Sequence, residues 1–555
     1  MKRFLHSNSS RPSIVSSRLF RLIALTTLAV PTLFISQEAK AQGTWTGSGA
    51  NADWTNTDNW FGSAVPGNST TATNIATFDD TAAAKTSNLD STRSVGRLLF
   101  AGSDYTLGST GGYTLTVGAG NDANYSIMGT AAGTNTIALN VTTANITTSQ
   151  TLIQLSNNSN LDITGAFTLV RNSNSSAATV INIDSGSTLT TNNFSYTNTG
   201  TGGLRLSKSG GGLWKATGAG SGYLTTDRIN VAGGTLAIGA TGAFGSAELD
   251  LNSAAATPIA ALVIDTAGVT VSNFISMING GESGYSRTLG GTFASGAATF
   301  SGNVALSAVN TATTAEGKLT DFSAAGTSRV EFTGRVANQG TATNRQGGII
   351  KGGAGTVVLG GANTYSLGTI VRQGTLLANN GSGSATGTGA VAVEAGATLG
   401  GTGNITGAVT VAAGGILQGG DTGVASDDLT LAGALTLGDN SVIKLTLGEG
   451  LTHSSLARTG ANAWTFDLNQ SFSFGTEGTV ALGTYENIIT GLAADPGTVG
   501  TWTIVNPGWT GTFTYDSGTI DLHLIAVPEP ATWAMLFGGL GMLGFAQRMR
   551  HRASL

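Results

Sequence analysis

The chain has 555 residues, with 83 glycines, 8 prolines, no cysteine, 10% charged residues and a formal net charge of −5. The lack of cysteine excludes disulfides and thiolate metal sites, and no basic face marks a nucleic-acid partner. Val, Ile and Leu recur too regularly, with too little charge, for a disordered chain; glycine turns between β-branched runs predict an all-β protein of many short strands.

In chain order, the first segment carries Lys2, Arg3, Arg11, Arg18 and Arg21 without an acid, then the apolar run LIALTTLAVPTLFI over residues 22–35, then Ala39-Lys40-Ala41. This three-part pattern predicts a signal peptide over 1–41, cut between Ala41 and Gln42, with an export translocase as partner. The apolar run is short for a permanent anchor.

Residues 42–100 form a Trp-rich opening, with Trp45, Trp54 and Trp60 among Asp53, Asp58, Asp79 and Asp80. Exposed tryptophans beside acids and amides could stack on sugar rings, which makes Trp45, Trp54 and Trp60 candidate glycan contacts. The preferred reading is a cap over the open end of a β-stack, because terminal repeats need a cover. Trp45, Gly47, Asp53, Trp54, Asn59, Trp60, Val65, Pro66 and Gly67 give this opening a resemblance to the W-x-G…D-W…N-W…V-P-G start of large bacterial surface proteins with β-strand repeats.

Residues 101–425 read as a degenerate repeat. VAGGTLAIG at 231–239, IDSGSTLT at 183–190, VRQGTLLAN at 371–379, VEAGATLGG at 393–401 and VAAGGILQG at 411–419 share an apolar residue, two others, a glycine and a short apolar strand. Gly374, Gly396 and Gly414 are spaced at about 20 residues, one solenoid rung. Alternation over 113–117, 429–437 and 442–447 predicts Thr facing out between inward aliphatics. Proline is absent between Pro66 and Pro258 and between Pro258 and Pro496, which suits continuous sheet.

The strongest copy lies at 349–380. Lys351, Gly352, Gly353, Gly355, Thr356, Leu359, Asn363, Thr364 and Tyr365, followed by Gly368-Thr369 and Gly374-Thr375-Leu376, closely resemble the autotransporter-associated β-strand repeat, with Leu367 as an extra residue. The stretch LSKSGGGLWK at 206–215 is a weaker copy that keeps the lysine before the glycines but lacks Asn-Thr-Tyr. The resemblance implies a right-handed parallel β-helix on the cell surface and no particular activity. Only the passenger-like part of that family is matched; the translocator barrel is not.

β-Helices also host enzymes that cut polysaccharides, which need acids clustered with Arg, Lys or Ca²⁺ on one face of adjacent rungs. The adjacent pairs Asp79-Asp80 and Asp427-Asp428 are poor couples, since neighbours on a strand point to opposite faces. Of the histidines, His6 lies in the leader and His551 in the tail, leaving His453 and His523 in the body. The sequence carries no G-x-S-x-G, H-E-x-x-H or P-loop element. No catalytic, cofactor or metal site is therefore expected, and the chain is read as non-enzymatic.

Residues 426–526 are expected to be the β-rich end of the solenoid. Residues 527–555 then give Val527-Pro528-Glu529-Pro530, an apolar uncharged run from Ala531 to Ala546, and a basic stop at Arg548, Arg550 and Arg552. At 1.5 Å per residue the run makes a helix of about 24 Å, a single transmembrane helix once flanked by Trp533 and the arginines. This ending resembles the PEP-CTERM sorting signal, which implies an exosortase-type membrane enzyme as partner.

The sequence thus predicts an all-β, right-handed parallel β-helix with an N-terminal cap and a C-terminal transmembrane helix. The expected function is that of an exported surface or matrix protein of a Gram-negative-type bacterium, transiently anchored in the membrane. An extracellular polysaccharide is a candidate partner. The alternative is a β-helix that binds or cleaves carbohydrate through Trp45, Trp54, Trp60 or Trp214.

Overall fold

The computed structural model describes residues 42–527 apart from 119–124, 172–177, 252–258, 278–285, 307–318, 340–345 and 422, together with Met542. The body is a parallel β-solenoid. One sheet runs from Gln42–Thr44 through Ile75–Phe78 and Arg97–Phe100 to Val336–Asn338. A second includes Ser159–Arg171, Leu213–Ala216, Gly348–Gly352 and Thr369–Val371. A third runs from Thr270–Val271 to Thr503–Ile504. From Asn404–Ile405 a fourth, six-stranded sheet takes the first sheet's place in the order of strands along the chain.

Side chains alternate along each short strand, so inward residues of successive rungs stack into ladders. In the first sheet, register partners Ala76, Leu98, Ile127, Ile153, Ile181, Lys208, Val231, Leu251 and Met277 follow one another without a break. In the second, Leu236, Leu262, Leu289, Phe322, Lys351, Val371, Val393, Val411 and Leu437 do the same. Burial of each aliphatic member contributes about 1.5–3 kcal/mol.

The three strands expected in the strongest repeat are present as Thr356–Leu359, Thr369–Val371 and Thr375–Ala378. Rung length departs from the expected 20. Thr369, Val391 and Val409 are partners 22 and 18 residues apart, but Leu289 and Phe322 are 33 apart. A rung fixes only the stacked strands and tolerates insertions at its corners, which run over the surface. The expected single run at 429–437 is likewise two strands, Asp428–Leu431 and Leu435–Leu437, in two different sheets.

The lysine of the repeat proves to be a corner device. Lys208 leaves the first sheet on Arg205–Ser209 and Lys351 leaves the second on Gly348–Gly352, so the same motif serves two different corners. Both lysines are fully buried. Lys208 Nζ donates to the carbonyls of Gly210 (2.8 Å), Gly212 (2.6 Å) and Gly233 (2.7 Å). Lys351 Nζ donates to those of Gly352 (2.8 Å), Gly353 (2.8 Å) and Gln373 (2.9 Å). The third acceptor in each set belongs to the corner one rung on.

The glycine after that acceptor, Gly234 or Gly374, has φ of 65° or 62°. A Cβ at Gly234 would collide with Lys208 Nζ, and one at Gly374 would meet Gly355 O at 2.5 Å, so glycine is required at both. Asn363 staples three rungs: its Oδ1 accepts from Val336 N–H at 2.7 Å and its Nδ2 donates to Ala385 O at 2.5 Å. In the weaker copy Asp227 makes only the backward link, accepting from Leu204 N–H one rung earlier (2.6 Å), while its other oxygen accepts from Leu224 N–H (2.7 Å) in its own turn.

Both ends of the stack are closed by aromatics. Trp45, Trp54, Trp60 and Phe78 pack with ring centroids 4.9–6.1 Å apart at the start. At the other end Phe472 packs on Trp502 (5.4 Å) and Phe513 (4.4 Å), and the parallel ladder gives way to the antiparallel pair Thr510–Asp516 and Thr519–Ala526. Among the described residues no helix is long and apolar enough to cross a membrane. The run expected to do so, at 531–546, lies outside them except for Met542.

Burial holds Lys208 down at about 7, and Lys351, despite the opposing charge of Asp321, at about 8, against an ordinary 10.5. Above those values and below 10.5 the unfolded chain binds more protons than the folded one, so stability rises with pH. Chemical unfolding followed from pH 8 to 9.5, below tyrosine ionisation, is expected to move to higher denaturant in the wild type. The Lys208→Met/Lys351→Met double variant is expected to lose that slope and to be less stable at pH 8, by about 1–3 kcal/mol for each set of carbonyls left without its donor. At the N-terminal end, Trp54→Ala should lower the local stability of the first rungs by about 3–5 kcal/mol, read as faster amide exchange. Phe61→Ala, at a ring 75% exposed, should change it by no more than about 0.5 kcal/mol.

Candidate functional site

The candidate glycan contacts are placed where no sugar reaches them. Trp45 and Trp54 are 0% and Trp60 2% exposed. Each indole N–H is spent on a carbonyl: Trp45 on Ala84 (2.8 Å), Trp54 on Pro66 (2.8 Å) and Trp60 on Trp54 (2.7 Å). The expectation that these rings are exposed is corrected: their apolar faces fill the end of the stack, and their polar edges satisfy its turns. Trp214 is also buried, inside the second sheet, with its N–H on Thr191 Oγ1 (2.9 Å).

Of the adjacent acids, Asp79, Asp80 and Asp427 lie between strands and Asp428 opens the strand Asp428–Leu431. Asp79 accepts from Thr81 N–H (2.9 Å). Asp80 pairs with Lys85 (3.0 Å), and that bond together with Ser103 N–H holds its carboxyl below the usual range. Asp427 accepts from Asp421 N–H (3.3 Å) and Asp428 from Ser455 Oγ (2.6 Å). His453 contacts the carbonyl of Glu486 (2.7 Å) and His523 the hydroxyl of Thr484 (3.1 Å). Among the described residues no group of three or more His, Asp or Glu is placed to hold a metal ion.

The charged cluster that does form comes from residues the sequence reading passed over. Arg205–Ser209, Arg228–Val231 and Glu248–Leu251 are successive strands of the first sheet. Their inward residues Leu206, Ile229 and Leu249 are fully buried in the core. The alternate positions face out, where register aligns Arg205, Arg228 and Glu248 in one row and Ser207, Asn230 and Asp250 in the next. Arg228 holds Glu248 through both carboxylate oxygens (3.0 and 3.2 Å) and Asp250 at 3.3 Å. The available signal was the pair of alternations R-I-N-V and E-L-D-L, 20 residues apart. Same-face acids in a strand are i and i+2, not neighbours.

Asp250 is almost wholly covered, with its side chain 4% exposed. Burial first, then the charge of Glu248, push its carboxyl up to about 7, while Arg228 pulls the other way. Two-carboxylate glycoside hydrolysis needs groups about 5–9.5 Å apart with the sugar between them. Here both carboxyls are held by the one Arg228 guanidinium and Asp250 is covered, so the arrangement suits binding rather than that reaction.

A cleft of about 220 Å³ opens beside the cluster, with Arg205, Ser207, Arg228, Asn230 and Asp250 in its wall. A larger groove of about 460 Å³ lies against the second sheet at Leu213, Ala237 and Val263, with Lys215 and Asp265 as its charged residues. Its other polar side chains are the hydroxyls of Ser187, Thr188, Thr235 and Thr292. A third, of about 520 Å³, has Glu449 and Glu477 in its wall, and Glu477 is occupied by Ala425 N–H (2.6 Å).

The expected sorting residues fall almost wholly outside the described residues: of Val527, Pro528, Glu529, Pro530, Arg548, Arg550 and Arg552 only Val527 is described. Ala41 lies outside them as well, and the first described strand begins at Gln42. No curated protein matches the chain. Residues 526–550 match the PEP-CTERM protein-sorting motif, which takes in Val527 to Pro530 together with Arg548 and Arg550 and stops short of Arg552. The motif begins on Ala526, the last residue of the last strand, and it indicates exosortase-dependent export and cell-surface sorting of the solenoid.

Proposed function

We propose that the chain is a non-enzymatic β-solenoid of the cell surface or extracellular matrix, serving adhesion, biofilm or envelope structure. The observation that carries this reading is the junction at Ala526, where a closed solenoid passes directly into the matched sorting motif. A body whose stability comes from neighbouring rungs, with aromatic plugs at both ends and no cysteine, folds without an oxidant or a cofactor. That suits a protein that is threaded through a translocase first and folds afterwards.

In this reading the leader at 1–41 engages the export translocase and is removed. The apolar run at 531–546 and the arginines behind it then hold the chain in the membrane until an exosortase-type enzyme acts at the Val527–Pro530 element. The cell is of the Gram-negative type. A second reading, carbohydrate binding, is favoured by the Arg205–Asp250 cleft; the cleaving form of that alternative is not, because both carboxyls there are held by Arg228.

The test is Glu529→Ala in a chain carrying an epitope tag after Leu555. In the parent the tag is expected to be lost and the body recovered at the surface or in the medium. The variant is expected to keep its tag and to stay in the membrane fraction. Equal processing of the two proteins would sink the sorting role of Glu529.

A further inference from the structure

The outer face of the first sheet is an unremarkable place for a structural protein to collect charge. Outward positions on a solenoid need only be soluble, and isolated exposed pairs add little stability. Yet here two arginines, a covered aspartate and an amide converge on one cleft.

Two groups in it are uncommitted. Arg205 is exposed and makes no hydrogen bond or ion pair among the described residues, although its neighbour Arg228 is doubly engaged. The Asn230 amide has a buried Oδ1 without a partner, and its Nδ2 makes only a long 3.4 Å bond to Ser207 Oγ. A modest turn of that amide gives an incoming hydroxyl the partner that neither group now has. An unmatched guanidinium calls for a carboxylate or similar planar anion, which it binds through two parallel N–H bonds. An uncommitted amide and a hydroxyl beside it call for a polyhydroxylated ligand. The volume, below the roughly 300–1,000 Å³ of drug-sized sites, takes one sugar ring and not several.

We propose that the cleft between Arg205 and Asp250 binds a single uronate unit of an acidic polysaccharide, its carboxylate on Arg205 and its hydroxyls on Ser207 and Asn230. This deepens the surface-protein reading and rests on it only for where the ligand is met. Asp250 sets the pH range. It faces Glu248 on its own strand, Arg228 and Asn230 on one neighbouring strand, and Ser276 on the other. When Asp250 is protonated, Arg228 is shared with one carboxylate instead of two, and the cleft becomes more attractive to an anion. Binding therefore tightens as pH falls from 8 to 6, a range in which a uronate stays ionised.

The experiment is calorimetric titration of the purified full-length chain, in mild detergent, with a galacturonate trimer, the methyl ester of that trimer, and galactose 6-sulfate. The acid trimer is expected to bind, and its ester at least about tenfold more weakly. Arg205→Ala should weaken the acid by about ten- to a hundredfold and leave the ester unchanged. Asp250→Asn should bind as tightly at pH 8 as the parent does at pH 6, with no pH dependence. Absence of binding by the parent, equal binding of acid and ester, or an Arg205→Ala variant with full affinity would overturn the proposal. Tighter binding of the sulfate would overturn the uronate assignment. None of these outcomes depends on whether Glu529 directs processing.

Discussion

At every corner of a stacked coil the backbone leaves one sheet before it enters the next, and its carbonyls lose the partners that a ladder supplies. Buried carbonyls without donors would cost a substantial part of what the rung gains, since each rung buries only a handful of aliphatic side chains. The solenoid answers this with donors placed inside it. Lys208 and Lys351 stand in ladders otherwise made of apolar residues, and their stems pack there as aliphatics do. Their three N–H bonds then satisfy two successive corners at once, which fixes the register of one rung on the next. Below its titration point the lysine is an ammonium with three donors and no acceptor, which suits a nest of three carbonyls better than any amide or hydroxyl does.

That arrangement explains why the repeat was legible in the sequence at all. Lys351, the glycines after it, and Gly374 recur because a charge, a tight turn and a positive φ must coincide there. The Asn-Thr-Tyr element carried less information. Asn363 is a staple between rungs, and Asp227 fills a similar place in the copy where the element is missing. A search for the letters failed where the physical role was retained. Rung length was legible only where corners are short. Between Leu289 and Phe322 the stacked strands persist although more chain separates them, and nothing in strand periodicity reports that.

The same logic separates the two readings of the tryptophans. Trp45, Trp54 and Trp60 sit among acids and amides, and from sequence alone an exposed aromatic and a terminal plug look alike. The structure separates them by exposure: the rings fill the first rung, and the polar neighbours are turn residues at its rim. The outer cluster was missed for the opposite reason. Arg228, Glu248 and Asp250 are ordinary outward positions until the register is known, and the register depends on a 20-residue rung that passes through the second sheet before returning. Sequence neighbours on a strand diverge, while residues a full rung apart meet.

A solenoid of this kind separates its tasks by direction. Inward positions and corners are bound by packing and by carbonyl satisfaction, so they offer no freedom for recognition. The chain end is bound by the processing machinery that reads 526–550. What is left for interaction is the outward rows, where a residue answers only to solvent and to its neighbours one rung away. On most of these rows Thr, Ser and Asn alternate with little charge. The row carrying Arg205, Arg228 and Glu248 departs from that pattern, and it keeps one carboxyl covered and one guanidinium unmatched. Burying Asp250 beside Glu248 costs free energy that a structural strand has no need to spend. A cost of that kind, on a face that the fold leaves unconstrained, is where binding is physically most economical to sustain.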